Sequence, residues 1–274
     1  MNAWNHLSHE LRLFFVALQF LTRLPIPAWV SQDDGFDPGW LNACVRYFPL
    51  VGVLVGGCGA AVLALASLAW PPLVAAVLAV AATVWVTGAF HEDGLADTFD
   101  ALGGQVSRDE ALSIMKDSRI GTYGAAALAL GLALRVALVA TMAQIQVCNA
   151  GLALAAAHMF GRAAAVALMA MLPYAGDAEH AKVKPLATAV SLSSVGVALA
   201  SALLTAVGMA ALGMQPTRGL PSPTSWLLAA LSVVVVVLLA RRWFARRLGG
   251  YTGDTLGATE QLVEMAVLLV LARG

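Results

Sequence analysis

The segment GAFHEDGLADTFD concentrates acidic side chains directly after a long apolar run. Asp93, Asp97 and Asp100 are spaced at i, i+4 and i+7, so a helix places all three on one face. Carboxylates on one face repel each other unless a cation neutralises them, and hard oxygen ligands suit Mg²⁺ or Mn²⁺. The spacing therefore predicts a metal site. The preference of acids for a helix start explains Glu92 and Asp93 adequately, but it explains Asp97 and Asp100 less well. His91 is open between a base, a partner of a ligand and an ordinary interfacial histidine.

Basic and small residues meet in a second segment, MKDSRIGTYG. Lys116 and Arg119 supply positive charge beside Asp117, and Gly121 allows the backbone to approach a ligand closely just before an apolar helix. This arrangement is typical of a phosphate-binding loop. The alternative is an ordinary basic flank of a membrane span that ends in a glycine turn.

A third polar segment, GGYTGDTLGATEQLVE, leads into the last apolar stretch. Asp254 is explained as the cap of a helix that opens at Thr255. Glu260 and Glu264 continue on one face of that helix, and carboxylates inside a membrane are costly. A polar cavity shared with the first carboxylates would account for both glutamates.

Arginines within apolar segments need a similar explanation. Arg162 lies four residues after His158, and we interpret it as a residue of the same cavity. Arg135 either snorkels to the membrane surface or pairs with a carboxylate.

The elements that carry these residues are apolar enough to be membrane helices. The chain of 274 residues is 60% hydrophobic and 12% charged, with a mean hydropathy of +0.80, whereas soluble domains carry about 25% charged residues. Charge-free runs of 24 and 32 residues cover 47–70 and 186–217, and about 20 apolar residues span a bilayer as a helix. The sequence therefore predicts an all-α, polytopic integral membrane bundle.

We expect one membrane domain over residues 1–274. It comprises a cytoplasmic or interfacial segment (1–46) with one interfacial helix, and a transmembrane bundle (47–272). The pair Pro71-Pro72 predicts a turn between the first two spans, because proline disrupts a continuing helix. The sequence predicts about seven membrane segments, at 47–70, 72–90, 121–143, 148–172, 186–212, 224–240 and 255–272.

Basic residues predict the orientation of the bundle, since cytoplasmic loops are enriched in Lys and Arg. Twelve of the sixteen basic residues fall on one side of the proposed spans, in 1–46, 91–120, 173–185 and 241–254. All three polar segments then face the cytoplasm. A transporter would place its ionisable residues near the midplane, so this placement favours chemistry on a cytosolic substrate.

Composition and spacing exclude several other classes. The net charge is zero and no basic, aromatic-laced stretch is present, so we expect no nucleic-acid partner. Cys44, Cys58 and Cys148 lack metal-ligand spacing and are expected to be small buried side chains. The chain has no apparent Ser-His-Asp or Cys-His arrangement. Acidic metal ligands near basic phosphate binders instead indicate transfer of a phosphate-containing group.

With these segments in view, the chain resembles the cobalamin synthase family, the adenosylcobinamide-GDP ribazoletransferases. The resemblance rests on five blocks in family order: FLTRLPIP (20–27), GAFHEDGLADTFD (88–100), IMKDSRIGTYG (114–124), GRAAAV (161–166) and GGYTGDTLGATEQLVE (249–264). One departure is Ala101, where the family pattern leads us to expect a glycine in a local backbone turn.

The resemblance implies the substrates. A ribose hydroxyl of α-ribazole, or of its 5′-phosphate, would attack the corrinoid-side phosphate of adenosylcobinamide-GDP. GMP would leave and adenosylcobalamin, or its 5′-phosphate, would form with the help of Mg²⁺. The resemblance also implies a multi-pass protein of the bacterial cytoplasmic (inner) membrane, in contact with the lipid bilayer, with its site facing the cytoplasm and a homo-oligomer as the expected assembly.

Residue roles follow from the resemblance as well. Metal ligation is expected from Asp93 and Asp97, together with Asp100 or Asp254, and the base is Asp100 or His91. The remaining residues fall into two groups. Substrate and phosphate binding is assigned to Lys116, Arg119, Arg162, Gly121 and Thr252. A position in the cavity is assigned to Asp117, Glu260, Glu264 and Arg23.

Three other hypotheses remain open. The pattern DGLAD followed by a third Asp resembles the CDP-alcohol phosphotransferases, so a transferase acting on a lipid is the second hypothesis. Its Asp-Gly-x-x-Ala-Arg signature is incomplete, since Asp97 stands where the arginine would be. A UbiA-like prenyltransferase is the third. From a different class, an ion-coupled transporter would use Glu260, Glu264 and Arg162.

Overall fold

The computed structural model describes residues 3–30, 38–176, 190–213 and 222–273. These ranges form α-helices and two short 3₁₀ turns, and they contain no β-strand. The helices are α1 (Ala3–Leu21), α2 (Pro38–Cys44), α3 (Phe48–Ala66), α4 (Pro72–Thr87), α5 (Phe90–Gly103), α6 (Arg108–Lys116), α7 (Thr122–Ile145), α8 (Val147–Met171), α9 (Leu192–Gly213), α10 (Pro223–Arg247) and α11 (Gly253–Leu271). Most of the predicted polar loop 172–185 and of the connector 213–225 lies outside the described residues.

The predicted all-α membrane bundle is confirmed. Five helical stretches are long and apolar enough to cross a membrane: Gly39–Ala66, Thr122–Ile145, Val147–Met171, Leu192–Ala211 and Pro223–Arg247. The bent pair of α4 and α5 provides a sixth, so the count is five or six where about seven were predicted. The difference lies in α11, which is helical as expected but carries Asp254, Glu260 and Glu264 within its 19 residues.

Helix α8 lies at the centre of the bundle, with 89% of its apolar stretch buried. It packs most extensively against α3, where small residues let the two backbones approach closely. A Cβ atom added to Gly56 would lie 2.5 Å from the Cα of Ala155, and one added to Gly52 would overlap the carbonyl oxygen of His158. This close crossing positions the middle of α8, which carries two of the chain's buried ionisable side chains.

The N-terminal helix α1 packs against the start of the bundle rather than standing apart. Leu13 and Ala17 are fully buried. Glu10 pairs with Arg46 at 3.2 Å and accepts a hydrogen bond of 2.6 Å from the hydroxyl of Tyr47. These contacts tie the interfacial segment to the helices that follow it.

A sharp bend of 88° separates α4 from α5. Helix α4 begins at Pro72 after Pro71, as the double proline predicted, and ends at Gly88 with φ +67°. Ala89 follows with φ +60°, a left-handed conformation that is unfavourable for residues with a Cβ. The backbone N–H of Arg23 donates to the carbonyl of Val86 beside this bend at 2.8 Å. The block FLTRLPIP therefore supports the turn that directs α5.

Helix α5 crosses α11 at two glycines. A Cβ atom on Gly94 would lie 2.8 Å from the carbonyl oxygen of Asp254, and one on Gly257 would lie 3.3 Å from the Cα of His91. Arg247 of α10 donates to the carbonyl oxygens of Leu102 and Gly104 at 3.1 and 2.9 Å, which closes the other end of α5. The acidic helix is thus held at both ends.

We predict that Gly56→Leu lowers the free energy of unfolding by about 1–3 kcal/mol, because the side chain must displace the α8 backbone. Gly57→Leu is the matched control, since a Cβ at Gly57 meets no atom within 4 Å. Thermal unfolding of the detergent-purified variants measures both. Equal unfolding temperatures for the two variants would contradict the proposed α3–α8 packing.

Candidate active site

Helix α5 has two polar faces with different surroundings. Asp93 is exposed, and Asp97 and Asp100 are half-buried on the face predicted from their spacing. His91 and Glu92 are 3% and 5% exposed and point into the bundle. The helix therefore separates a surface carboxylate set from an interior set, although the five residues lie within ten positions of the chain.

Asp254 joins the surface set because of the α5–α11 crossing. Its backbone lies against Gly94, between the positions of Asp93 and Asp97 along α5. Helix α11 begins at Gly253, and its N-cap is Thr252. Asp254 is therefore not the N-cap, which was the role that the sequence suggested for it. The crossing places the backbone of Asp254 next to α5, beside the positions of Asp93 and Asp97. Carboxylate oxygens of this kind are the hard ligands that Mg²⁺ prefers.

Thr252 has a structural role that sequence reasoning did not assign. It is 5% exposed, and its hydroxyl accepts from the backbone N–H of Thr255 at 3.2 Å and contacts the sulfur of Met115 at 3.6 Å. The Thr255 hydroxyl returns a contact to the Thr252 N–H at 2.8 Å. The hydroxyl of Thr252, which was predicted to bind substrate, therefore belongs to a capping box and is buried.

Asp100 links the first polar segment to the second. Its two carboxylate oxygens accept hydrogen bonds of 2.7 Å from the backbone N–H groups of Gly121 and Gly124, at the N-terminus of α7. A Cβ atom on Gly124 would overlap the carboxylate. The glycines predicted to hold a phosphate therefore hold a carboxylate of this chain. Ala101 is fully buried within α5, so the glycine turn expected there does not form.

The basic residues of the second segment lie at the surface. Lys116, which ends α6, and Arg119 are both exposed. Arg119 donates to Asp117 at 2.6 Å, and this hydrogen-bonded ion pair raises the pKa of the Arg119 guanidinium above its usual value. Asp117 therefore orients Arg119 rather than lining a deep cavity.

Burial and the neighbouring Tyr174 raise the pKa of Tyr251 to about 12, so this residue remains a neutral phenol at pH 7.

The interior set forms a network of buried ion pairs. Arg135 reaches the carboxylates of Glu92 and Glu264 at 2.8 and 3.1 Å. Arg162 lies 2.5 Å from Glu260, and its Nη1 donates to the carbonyl oxygen of His158 at 3.0 Å. The arginines are 1% and 0% exposed. Of the two interpretations left open for Arg135, pairing with a carboxylate is the observed one.

The two histidines complete this network. His91 Nε2 lies 2.7 Å from Glu260, and His158 Nδ1 contacts Glu264. Glu260 and Glu264 are thus part of a packed ionic cluster, linked through His91 and Glu92 to the helix that bears the surface carboxylates. The sequence led us to expect a polar cavity between these glutamates and the carboxylates of α5. In the structure, Glu260 instead contacts His91 of α5 directly, and Glu264 is linked to Glu92 of α5 through Arg135.

Arg162, which was predicted to bind phosphate, lies in the interior. It is fully buried and engaged with Glu260 and His158, whereas Lys116 and Arg119 lie at the surface. The sequence placed Arg162 within a span and the other two in a polar segment, but it did not show which way the Arg162 side chain points.

Within the described residues, one group of side chains has ligand atoms close enough for a metal: His158, Glu260 and Glu264, with all three atoms within 4.8 Å of one another. However, Arg162 Nη1 lies 3.3 Å from the His158 nitrogen and 3.8 Å from Glu264. A guanidinium already supplies the positive charge at this point, so we interpret the group as an ion-pair cluster.

Sequence reasoning missed Glu92 and His158 as partners. Glu92 was attributed to a helix start, and His158 was only noted as a neighbour of Arg162. A usable signal existed: two arginines and two glutamates inside apolar segments each require a partner.

Together, fold and site define a class of protein: a polytopic helical membrane protein with an acidic surface site beside exposed basic residues. The particular family follows from comparison with known proteins. The family described as cobalamin-5-phosphate synthase matches residues 13–272, and the chain belongs to this family.

Similar proteins carry a consistent name. A protein of Leptothrix cholodnii is 52% identical over 264 residues, which is 96% of each chain. A protein of Albidiferax ferrireducens is 42% identical over 98% of this chain and 100% of its own length, and one of Shewanella pealeana is 39% identical over 99% and 97%. All three are named adenosylcobinamide-GDP ribazoletransferase. No solved structure matches the chain.

We predict that Glu260→Gln lowers the free energy of unfolding by about 3–5 kcal/mol, because removing one partner leaves a buried charge uncompensated. Asp109→Asn is the control. Its carboxylate also faces an arginine, Arg108, at 3.5 Å, but the side chain is 93% exposed, so its loss should leave stability unchanged. Thermal and denaturant unfolding in detergent compare the two. Similar losses in both variants would contradict the assigned burial of the network.

Proposed function

We propose that the chain joins adenosylcobinamide-GDP to α-ribazole, or to α-ribazole 5′-phosphate, and releases GMP. The product is adenosylcobalamin or its 5′-phosphate, in a late step of cobalamin biosynthesis. The activity is that of an adenosylcobinamide-GDP ribazoletransferase, the name carried by relatives with up to 52% identity over nearly the whole chain.

The surface of the α5–α11 crossing is the observation that carries the mechanism. The backbone of Asp254 lies there against Gly94, beside the positions of Asp93 and Asp97 on α5, and we assign the three carboxylates to the binding of Mg²⁺. When bound, Mg²⁺ would neutralise phosphate charge and polarise the phosphoryl group under attack. The three carboxylates come from two helices, α5 and α11, so the site depends on the crossing of these helices at Gly94.

Lys116 and Arg119 are assigned to the diphosphate of adenosylcobinamide-GDP. Both are exposed next to the α7 N-terminus, and their charge compensates that of the departing GMP. Asp117 holds the Arg119 guanidinium in a forked contact. Substrate phosphate and Asp117 would therefore approach the same guanidinium from different sides.

Asp100 is the better candidate for the base that receives the ribose hydroxyl proton. It lies on the surface face of α5, and two glycine N–H groups fix the direction of its carboxylate. His91 faces Glu260 in the interior, so we assign it to positioning α5 against α11. Attack by the hydroxyl oxygen on the corrinoid-side phosphate breaks the bond to GMP, and the hydroxyl proton passes to Asp100.

One assay tests the function directly. The purified protein in lipid nanodiscs is given adenosylcobinamide-GDP, α-ribazole and Mg²⁺, and GMP release is measured. We expect release that EDTA abolishes. Absence of release would contradict the proposed reaction, and CMP release from a CDP-linked lipid with an alcohol acceptor would favour the CDP-alcohol hypothesis instead.

We predict that Asp97→Asn lowers kcat/KM by at least about 100-fold at a fixed Mg²⁺ concentration, since even partners of metal ligands cost 10–100-fold. Asp109→Asn, on the exposed side of α6, should retain wild-type activity. Steady-state GMP release measures both. If Asp97→Asn keeps full activity while the wild type is active, the ligand role fails but the function stands.

We further propose a cytoplasmic site in the bacterial inner membrane, supported by the basic residues of 91–120 and 241–254. Cys148, at the start of α8, is exposed and would lie on the opposite side. A membrane-impermeant maleimide should label Cys148 in intact spheroplasts. In a Cys148→Ser background, Ser113→Cys on the exposed side of α6 should react only after permeabilisation. The reverse pattern would overturn the orientation.

A further inference from the structure

Arg135 connects four helices through one guanidinium. It lies on α7 within a membrane span and is 1% exposed. Its contacts are Glu92 of α5 at 2.8 Å, Gln261 and Glu264 of α11 at 2.8 and 3.1 Å, and Thr83 of α4 at 3.4 Å. A single buried side chain therefore joins α7 to α4 and α5, on both sides of the bend, and to α11, the helix that α5 crosses.

Two of these contacts lie on opposite sides of the α4–α5 bend. Thr83 precedes the bend and Glu92 follows it, while Gly88 and Ala89 form it with positive φ angles. The N–H groups of Gly88 and Ala89 donate to the carbonyl oxygens of Trp85 and Val84 at 3.1 and 2.8 Å, but the conformation of Ala89 is disfavoured by about 1–2 kcal/mol. The contacts of Arg135 join both arms and add to these backbone hydrogen bonds.

The direction of α5 sets the geometry of the surface carboxylates. Gly94 packs on Asp254, so any rotation of α5 about the bend changes the separation of Asp93 and Asp97 from Asp254. The other ionic contacts of the cluster do not control this angle in the same way. Arg162 joins α8 to α11, and neither its contacts nor those of His91 include α4 among the described interactions.

We propose that Arg135 is a positioning residue: its guanidinium holds the angle between α4 and α5 and thereby the spacing of the carboxylates that bind the divalent cation. The inference rests on the proposed function in that Asp93, Asp97 and Asp254 are the ligands. Arg135 acts from the interior side of α5, through Glu92, on side chains that it does not touch.

The test measures Mg²⁺ affinity without substrates, from the Mg²⁺-dependent rise in unfolding temperature in nanodiscs. Arg135→Gln should weaken Mg²⁺ binding about tenfold or more, as is usual for residues that support metal ligands. Arg135→Lys should weaken it less, because lysine keeps the charge but not the forked contacts. The Mg²⁺ concentration for half-maximal GMP release should rise in parallel, and kcat should recover at saturating Mg²⁺.

Arg46→Gln is the matched control. Arg46 also pairs with a glutamate of another helix, Glu10, but contacts neither α5 nor α11. This variant should unfold at a lower temperature with an unchanged Mg²⁺ affinity. A general loss of stability would therefore not reproduce the effect expected at Arg135.

A double variant, Glu92→Gln with Arg135→Gln, removes both charges of one pair and keeps the test decisive if the single variant does not fold. It should also bind Mg²⁺ about tenfold more weakly. Wild-type affinity in either the single or the double variant would overturn the inference and leave the proposed function intact. Absence of Mg²⁺ binding by the wild type would overturn both.

Discussion

A charge buried within a bilayer has to be paired, and in this protein that requirement organises the centre of the bundle. Arg135 and Arg162 stand in membrane spans and are almost wholly enclosed. Their partners come from α5 and α11, so each ion pair joins helices that are distant along the chain. Apolar side chains pack nearly as well against lipid as against one another. The ion pairs, together with close crossings at small residues such as Gly56, therefore decide which helix faces meet.

The same requirement explains how α5 serves both structure and chemistry. His91 and Glu92 take part in the interior network, while Asp93 and Asp97 lie on the surface face, where we propose that the cation binds. Because the two faces belong to one rigid helix of 14 residues, the interior contacts orient the surface ones. A site on one face of a helix whose opposite face is held by ion pairs is better defined than a site on a loop.

Part of this arrangement could be predicted from the sequence, and the reasons are local. The spacing of Asp93, Asp97 and Asp100 defines a shared helix face, and the charge-free runs define membrane spans. The role of Glu92 could not be predicted, because its partner Arg135 lies 43 residues away. The capping role of Thr252 depended on where α11 begins, and helix boundaries are the least certain part of any sequence-based assignment. The interior position of Arg162 could not be predicted either, because a basic side chain within a span is equally compatible with a surface-directed and a buried position.

By itself, the sequence determined that the chain is a helical membrane protein, where its helices lie, and which carboxylates share a face. These properties follow from apolar length and from helical periodicity, which act between residues close along the chain. Only the tertiary structure decided that α4 and α5 meet at 88°, that Asp254 lies against Gly94, and that the interior glutamates are paired rather than free. Those facts depend on which helix faces pack together, and periodicity specifies the faces of each helix without specifying their partners.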